Sequence, residues 1–258
     1  MCGAQGACEP KPRPAPPPLD RAAALFLDVD GTLLEIAARP DLVRVSPRLP
    51  ILLGRLAASR GGALALVSGR PLIDLDRLFP AWRGAAAGLH GLVRRRADGS
   101  LAASGDAAAS AALAALRAPL TDFARARPGL LLEDKGGTIA LHYRKRPQDE
   151  TEIRALAESL CRATGPALRL IAGKKVVEFQ PQSANKAGAI AAFLAEPPFC
   201  RRCPVFLGDD TTDEDGFAEV NRRGGLSIRV GGPAATAACY GLASVAAARR
   251  WLLGGASG

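Results

Sequence analysis

No apolar run in the chain approaches the ~20 residues that a membrane span requires. The first residues are proline-rich and have no apolar centre, so no signal peptide is expected. Cys2, Cys8, Cys161, Cys200, Cys203 and Cys239 show no framework spacing. Cys200-Arg-Arg-Cys203 lacks a second pair, which argues against a zinc site and for reduced thiols in a cytoplasm. Aromatic residues are few, at 5% of the chain, and none is interleaved with the longest basic clusters, Arg94-Arg95-Arg96 and Lys174-Lys175. The formal charge of +9 therefore reads as a solvated basic surface rather than a nucleic-acid groove. Neither nucleic acid nor membrane is expected as a partner.

What is present is alternation. Met1 to about Leu19 carries many prolines and no periodic apolar residue, and is expected to be a disordered tail. Order is expected from about Ala22. The apolar runs Ala23–Val29, Ala63–Val67 and Ala85–Leu89 read as buried strands. Between them lie helical patterns over about 47–60 (Leu49, Leu52, Leu53, Leu56) and 72–79. Buried strands alternating with helices predict a parallel sheet with helices on both faces. The middle of the chain differs. Helices over about 106–127 and 149–164 are each followed by a hairpin pattern, at 129–143 around Gly136-Gly137 and at 167–179 around Ala172-Gly173. This helix–hairpin repeat reads as a small inserted α+β domain. Alternation then resumes with a helix over 185–194, a strand over 205–207, a helix over 214–222, a strand over 226–230 and a helix over 244–253.

Chemistry is expected where polar residues end the strands, because ligands of open parallel sheets bind beyond the strands' carboxyl ends. The first strand ends in Asp28-Val29-Asp30-Gly31-Thr32. Two carboxylates at the end of a buried strand cost free energy unless a cation neutralises them, and oxygen ligands favour a hard metal. If extended, Asp28 and Asp30 face the same way. One of them then serves as metal ligand and nucleophile, and the other as acid/base. The second strand ends in Ser68, a candidate phosphoryl hydrogen-bond donor. Lys186 opens a helix near the same edge and is a candidate for neutralising phosphate. Gly208-Asp209-Asp210-Thr211-Thr212-Asp213-Glu214 is a dense acidic loop, with Asp209 the candidate direct metal ligand and Asp210 and Asp213 beside it.

In this order, Asp-Val-Asp-Gly-Thr, Ser68, Lys186 and the Gly-Asp-Asp loop, the chain resembles the haloacid dehalogenase (HAD) superfamily of phosphotransferases. The resemblance implies an α/β, Rossmann-like HAD core with an inserted α+β cap domain. It also implies Mg²⁺ and a phosphoaspartate intermediate, with Asp28 as nucleophile and Asp30 as general acid/base. The metal ligands it implies are the Asp28 carboxylate, the Asp30 backbone carbonyl and Asp209. Further segments carry the resemblance to the trehalose-6-phosphate phosphatase family: Ser68-Gly69-Arg70, Gly88-Leu89-His90-Gly91, Glu133-Asp-Lys135 followed by His142-Tyr143-Arg144, Gly173 to Glu178, and Gly208 to Phe217. Gly216 departs from the alanine expected there.

The tail over 1–19 lies outside this resemblance, which implies a core over 20–104 and 181–258 and a cap over 105–180 that closes over the core. It casts Glu133, Lys135 and Glu178 as holding the distal sugar's hydroxyls, with Arg70 and His90 also at the substrate. His142 and Arg144 either orient the cap strands or reach the substrate. The implied partner is a small molecule, trehalose 6-phosphate, taken by a cytoplasmic monomer. The alternatives are another HAD sugar phosphatase, acting on sucrose phosphate or a hexose phosphate, and a non-catalytic sugar-phosphate-binding regulator. The intact Asp28/Asp30 pair argues against the regulator.

Overall fold

The structure is a computed structural model and describes residues 13–37, 43–103, 107–173 and 175–256. The expected boundary at 104/105 falls outside the described residues, as do Cys2, Cys8 and Lys174. The strands are β1 (Ala24–Leu27), β2 (Leu64–Val67), β3 (Ala85–Gly88), β4 (Val93–Arg95), β5 (Leu101–Ala103), β6 (Leu131–Asp134), β7 (Ile139–His142), β8 (Leu168–Gly173), β9 (Val176–Pro181), β10 (Pro204–Gly208), β11 (Leu226–Val230) and β12 (Tyr240–Leu242). The helices are α1 (Arg48–Ser59), α2 (Leu72–Leu78), α3 (Ala107–Arg125), α4 (Glu150–Ala163), α5 (Lys186–Leu194), α6 (Glu214–Arg222) and α7 (Val245–Gly254). The chain divides into two compact units. One takes the residues up to Leu64 and from Leu194 on, and the other runs Ala65–Phe193.

The first unit is an α/β layer. β1, β10, β11 and β12 pair in parallel in the order β12-β11-β10-β1. Every residue of β1 and β10 is buried, which is why these strands read as unbroken apolar runs. Leu49, Leu52, Leu53 and Leu56 form the buried stripe of α1, as the helical spacing predicts. Leu27 lies opposite Leu207, so the carboxyl ends of β1 and β10 emerge side by side.

Two expectations change here. The strand stops at Leu27, so Asp28 and Asp30 stand in the loop beyond it rather than inside an extended segment. The polar pair ends the pairing because the chain folds back at once, with Leu33 and Leu34 N–H both donating to the Val29 carbonyl. Residues 13–19, expected in the disordered tail, are held to the body. Arg13 donates to the Thr236 carbonyl (2.7 Å), the Gly241 N–H donates to the Pro14 carbonyl (3.0 Å) and Trp251 Nε1 donates to the Pro17 carbonyl (2.9 Å). Leu19 is buried.

In the second unit β2 and β3 are parallel, but β3, β4 and β5 pair antiparallel. The all-parallel reading of the strands therefore fails at this hairpin. Its short strands, Val-Arg-Arg and Leu-Ala-Ala, carry no buried apolar run. A separate antiparallel sheet has the order β6-β7-β9-β8. One of its faces, with Ile139, Leu141, Val177, Phe179 and Leu168, shares a core with Leu113, Leu116 and Leu120 of α3 and Ile153 and Ala157 of α4. Strand residues alternate faces, so the opposite face carries the register row Glu133–Ala140–Glu178, with Thr138 and His142 on either side of Ala140.

Candidate active site

In the first unit, Asp28, Asp209 and Asp213 each offer a carboxylate oxygen, and these oxygens all lie within 4.8 Å of one another. Asp28 and Asp213 are buried. Asp28 comes from the end of β1, where its N–H donates to the Leu207 carbonyl (3.0 Å). Asp209 follows β10, and Thr32 Oγ1 lies 3.4 Å from its Oδ1. Asp213 closes the acidic loop on itself. Its Oδ2 accepts the N–H groups of Asp209 (2.9 Å) and Asp210 (3.0 Å), the latter being one half of a capping box with Asp210, whose side chain also accepts the Thr211 N–H (2.7 Å). Gly31 makes room for the cluster. Its φ is +82°, and a Cβ there would meet Asp209 Oδ2 at 2.0 Å. Three close carboxylates with only oxygen donors suit a hard divalent cation. Asp30 is not a member of this trio; it lies one turn on, bridged to Leu34.

In the second unit, Ser68, just past β2, and His90, just past β3, come together. Ser68 is buried, and its Oγ accepts the Arg70 N–H (3.2 Å). The His90 N–H donates to the Ser68 carbonyl (3.0 Å), and the Leu89 N–H donates to the Arg70 carbonyl (3.0 Å). Leu89 and His90 hold φ of +51° and +56°, a conformation uncommon for residues with side chains. Gly69 has to lack a side chain, since a Cβ would sit 2.5 Å from His90 Nε2. Lys186 is buried at the start of α5. The helix is capped by Asn185, whose Oδ1 accepts the Gly188 N–H. Lys186 is close enough to His90 to disfavour a second positive charge there.

The open face of the antiparallel sheet meets this segment at Glu178. Glu178 Oε1 accepts Lys135 Nζ (2.9 Å) and Thr138 Oγ1 (2.7 Å), and Oε2 lies 3.7 Å from His90 Nε2. Burial alone would raise the Glu178 pKa. The approach of His90, the Lys135 charge and the Thr138 hydroxyl reverse this and hold it far below the usual carboxylate range. Burial lowers the His90 pKa against the pull of Glu178, with Lys186 and Lys135 adding to the lowering. The imidazole is therefore neutral at neutral pH. Glu133 Oε2 pairs with His142 Nε2 (2.9 Å). That bond lowers its pKa; burial opposes the shift, and the Lys135 charge supports it.

The structure thus joins Asp28 with Asp209, Ser68 with Arg70 and His90, and Glu178 with Lys135 and His90. Sequence reading did not single out Thr138. Its signal was positional, two residues before Ala140 on one strand face, and was readable only once the register with Glu178 was known.

The trehalose-phosphatase family profile matches residues 26–242. The probable trehalose-phosphate phosphatase of Sinorhizobium fredii is 45% identical over 230 residues, covering 89% of this chain and 86% of that protein. The trehalose-6-phosphate phosphatase of Escherichia coli is 43% identical over 238 residues, covering 92% and 87%. The C-terminal domain of C. albicans trehalose-6-phosphate phosphatase shares the fold, with TM-score 0.79 at 21% identity over 95% of this chain and 98% of that one. The chain belongs to the trehalose-phosphatase family.

Proposed function

We propose that the chain hydrolyses trehalose 6-phosphate to trehalose and phosphate, as a cytoplasmic monomer acting on a small molecule without nucleic acid or membrane. The observation that carries this reading is the close trio Asp28, Asp209 and Asp213 in a chain of this family. Among the described residues no helix is long and apolar enough to cross a membrane. In this reading residues 105–180 are the cap of an HAD core made of 20–104 and 181–258.

The cation that suits these oxygens is Mg²⁺; the Asp28 and Asp209 carboxylates and the Asp30 carbonyl would hold it, with Asp213 beside them. When bound it would offset the repulsion between phosphate and carboxylate. Asp28 attacks phosphorus, and the bond from phosphorus to the sugar oxygen breaks. Asp30 gives its proton to that oxygen as trehalose leaves. Asp30 then takes a proton from water, which attacks the phosphorus of the aspartyl phosphate and frees Asp28. Ser68 donates to a phosphoryl oxygen and Lys186 neutralises phosphate charge, the positioning and electrostatic work on which phosphoryl transfer depends. Glu133, Lys135 and Glu178, with Arg70 and His90, take the sugar end. Ionised groups suit this task because their hydrogen bonds to hydroxyls are strong.

The test is phosphate release from trehalose 6-phosphate, sucrose 6-phosphate and hexose phosphates, with and without Mg²⁺. Turnover should be Mg²⁺-dependent and fastest on trehalose 6-phosphate, and Asp28→Asn should abolish it. Faster release from another sugar phosphate would refute the substrate. Activity surviving in Asp28→Asn would refute the nucleophile.

A further inference from the structure

We infer that His142 is a positioning residue that sets which oxygen of Glu133 is offered to the sugar. This rests on the substrate reading above. His142 is on β7 and Glu133 on β6, on the sheet face that α3 and α4 leave open. Their side chains meet at 2.9 Å through Nε2 and Oε2, and each is 28% exposed. A single half-buried pair of this kind adds only modestly to stability, and the sheet's own core lies on its other face. The pair is therefore poorly explained as a structural fastening.

The two carboxylates of the row differ in what remains available. Glu178 has Oε1 taken by Lys135 and Thr138, and Oε2 faces His90. Glu133 is held through Oε2 alone, and its Oε1 has no hydrogen-bond partner among the described residues. A carboxylate that is free to rotate presents either oxygen in many directions. One pinned by an imidazole N–H presents the other oxygen in a single direction, with its ordering cost already met before substrate arrives. The donor that fits Oε1 is a hydroxyl of the sugar end of the substrate.

The experiment compares His142→Ala, His142→Gln, Glu133→Gln and the double variant Glu133→Gln/His142→Ala, using trehalose 6-phosphate and a small aryl phosphate. His142→Ala should raise KM for trehalose 6-phosphate roughly tenfold, with kcat within about twofold, and should shift aryl phosphate kinetics far less. His142→Gln, which keeps an N–H donor near the Nε2 position, should recover most of that loss. In the double variant His142→Ala should add almost nothing to Glu133→Gln, since the amide has already replaced the free carboxylate oxygen whose direction His142 sets. An unchanged KM in His142→Ala, equal losses on both substrates, or full additivity would overturn the assignment. Wild-type protein that cleaves the aryl phosphate but not trehalose 6-phosphate would overturn the substrate reading and this inference with it. Wild-type turnover with a KM insensitive to His142 would overturn the inference alone.

Discussion

Gly31→Ala tests whether the carboxylate trio is the catalytic centre. Gly31 sits at φ +82°, and alanine in left-handed backbone costs about 1–2 kcal/mol. The new Cβ would also lie 2.0 Å from Oδ2, 2.3 Å from Cγ and 2.7 Å from Oδ1 of Asp209. All three distances are below 3.0 Å, and ordinary contact begins at 3.4 Å. Because the whole carboxylate is overlapped, rotating it gives no relief, and the group has to translate by about an ångström or more.

A misplacement of that size costs about a hundredfold in rate when the displaced group is part of the catalytic constellation. The expected outcome is a folded protein with Tm lowered by roughly 4–8 °C, from about 2 kcal/mol at this chain length. kcat/KM should fall about a hundredfold on trehalose 6-phosphate and on an aryl phosphate alike, because the defect is at phosphorus and not at the sugar. Mg²⁺ affinity, measured by calorimetry, should fall with it. A folded Gly31→Ala protein whose kcat/KM stays within about threefold of wild type on both substrates would refute this reasoning.

Other variants separate the remaining parts. Lys135→Ala, which strips Glu178 of its 2.9 Å partner, should cost roughly ten- to hundredfold on trehalose 6-phosphate and much less on an aryl phosphate; equal losses would count against the sugar-binding role. Stability should fall on acidification in two stages. The folded His90 pKa is lowered from 6.5, so the unfolded chain binds that proton first and stability declines as pH drops below about 6.5. The folded Glu178 and Glu133 pKa values are lowered from 4.5, so a second decline sets in below about 4.5. Urea midpoints between about pH 8 and pH 4 would show it, and His90→Asn should remove the first stage; a profile flat down to pH 5 would refute it. Deleting residues 1–19 should destabilise by about 4–6 kcal/mol, from Leu19 burial and the three hydrogen bonds of Arg13, Pro14 and Pro17. Deleting only 1–12 removes none of those contacts, and equal melting of the two truncations would show that the segment contributes nothing.

The sequence was most informative where burial and charge collide. Carboxylates at the end of a fully apolar strand have few explanations, so Asp28 and Asp209 could be paired before any coordinates. The two hairpins were readable, with strand boundaries shifted by one or two residues, but Ala172-Gly173, read as the second turn, pairs inside β8 with Val177 and Val176. The short strands β4, β5 and β12 were not readable, because three residues are too few to carry a periodic signal. The ordered segment 13–19 was hidden for another reason. Its carbonyls bond to Gly241 and Trp251, more than two hundred positions away, and proline-rich composition is the same whether or not a groove receives it. The partners of Glu133 and Glu178 depended on register, which fixes the row only once the strands are paired.

In the proposed reading, the open face of the antiparallel sheet places discrimination at one atom. A site rejects a ligand lacking a hydroxyl in proportion to the polar groups left unpaired when that hydroxyl is missing. The Glu178 carboxylate has protein donors already, at 2.9 Å from Lys135 and 2.7 Å from Thr138, so losing a sugar contact there leaves it satisfied. Glu133 Oε1 has no such reserve. Deoxygenating the hydroxyl that meets Oε1 should therefore weaken binding more than deoxygenating its neighbours, and the difference should vanish in Glu133→Gln/His142→Ala. On that proposal, selectivity would arise from one carboxylate kept incomplete by its own neighbour, with Glu178 contributing chiefly by holding Lys135 in place.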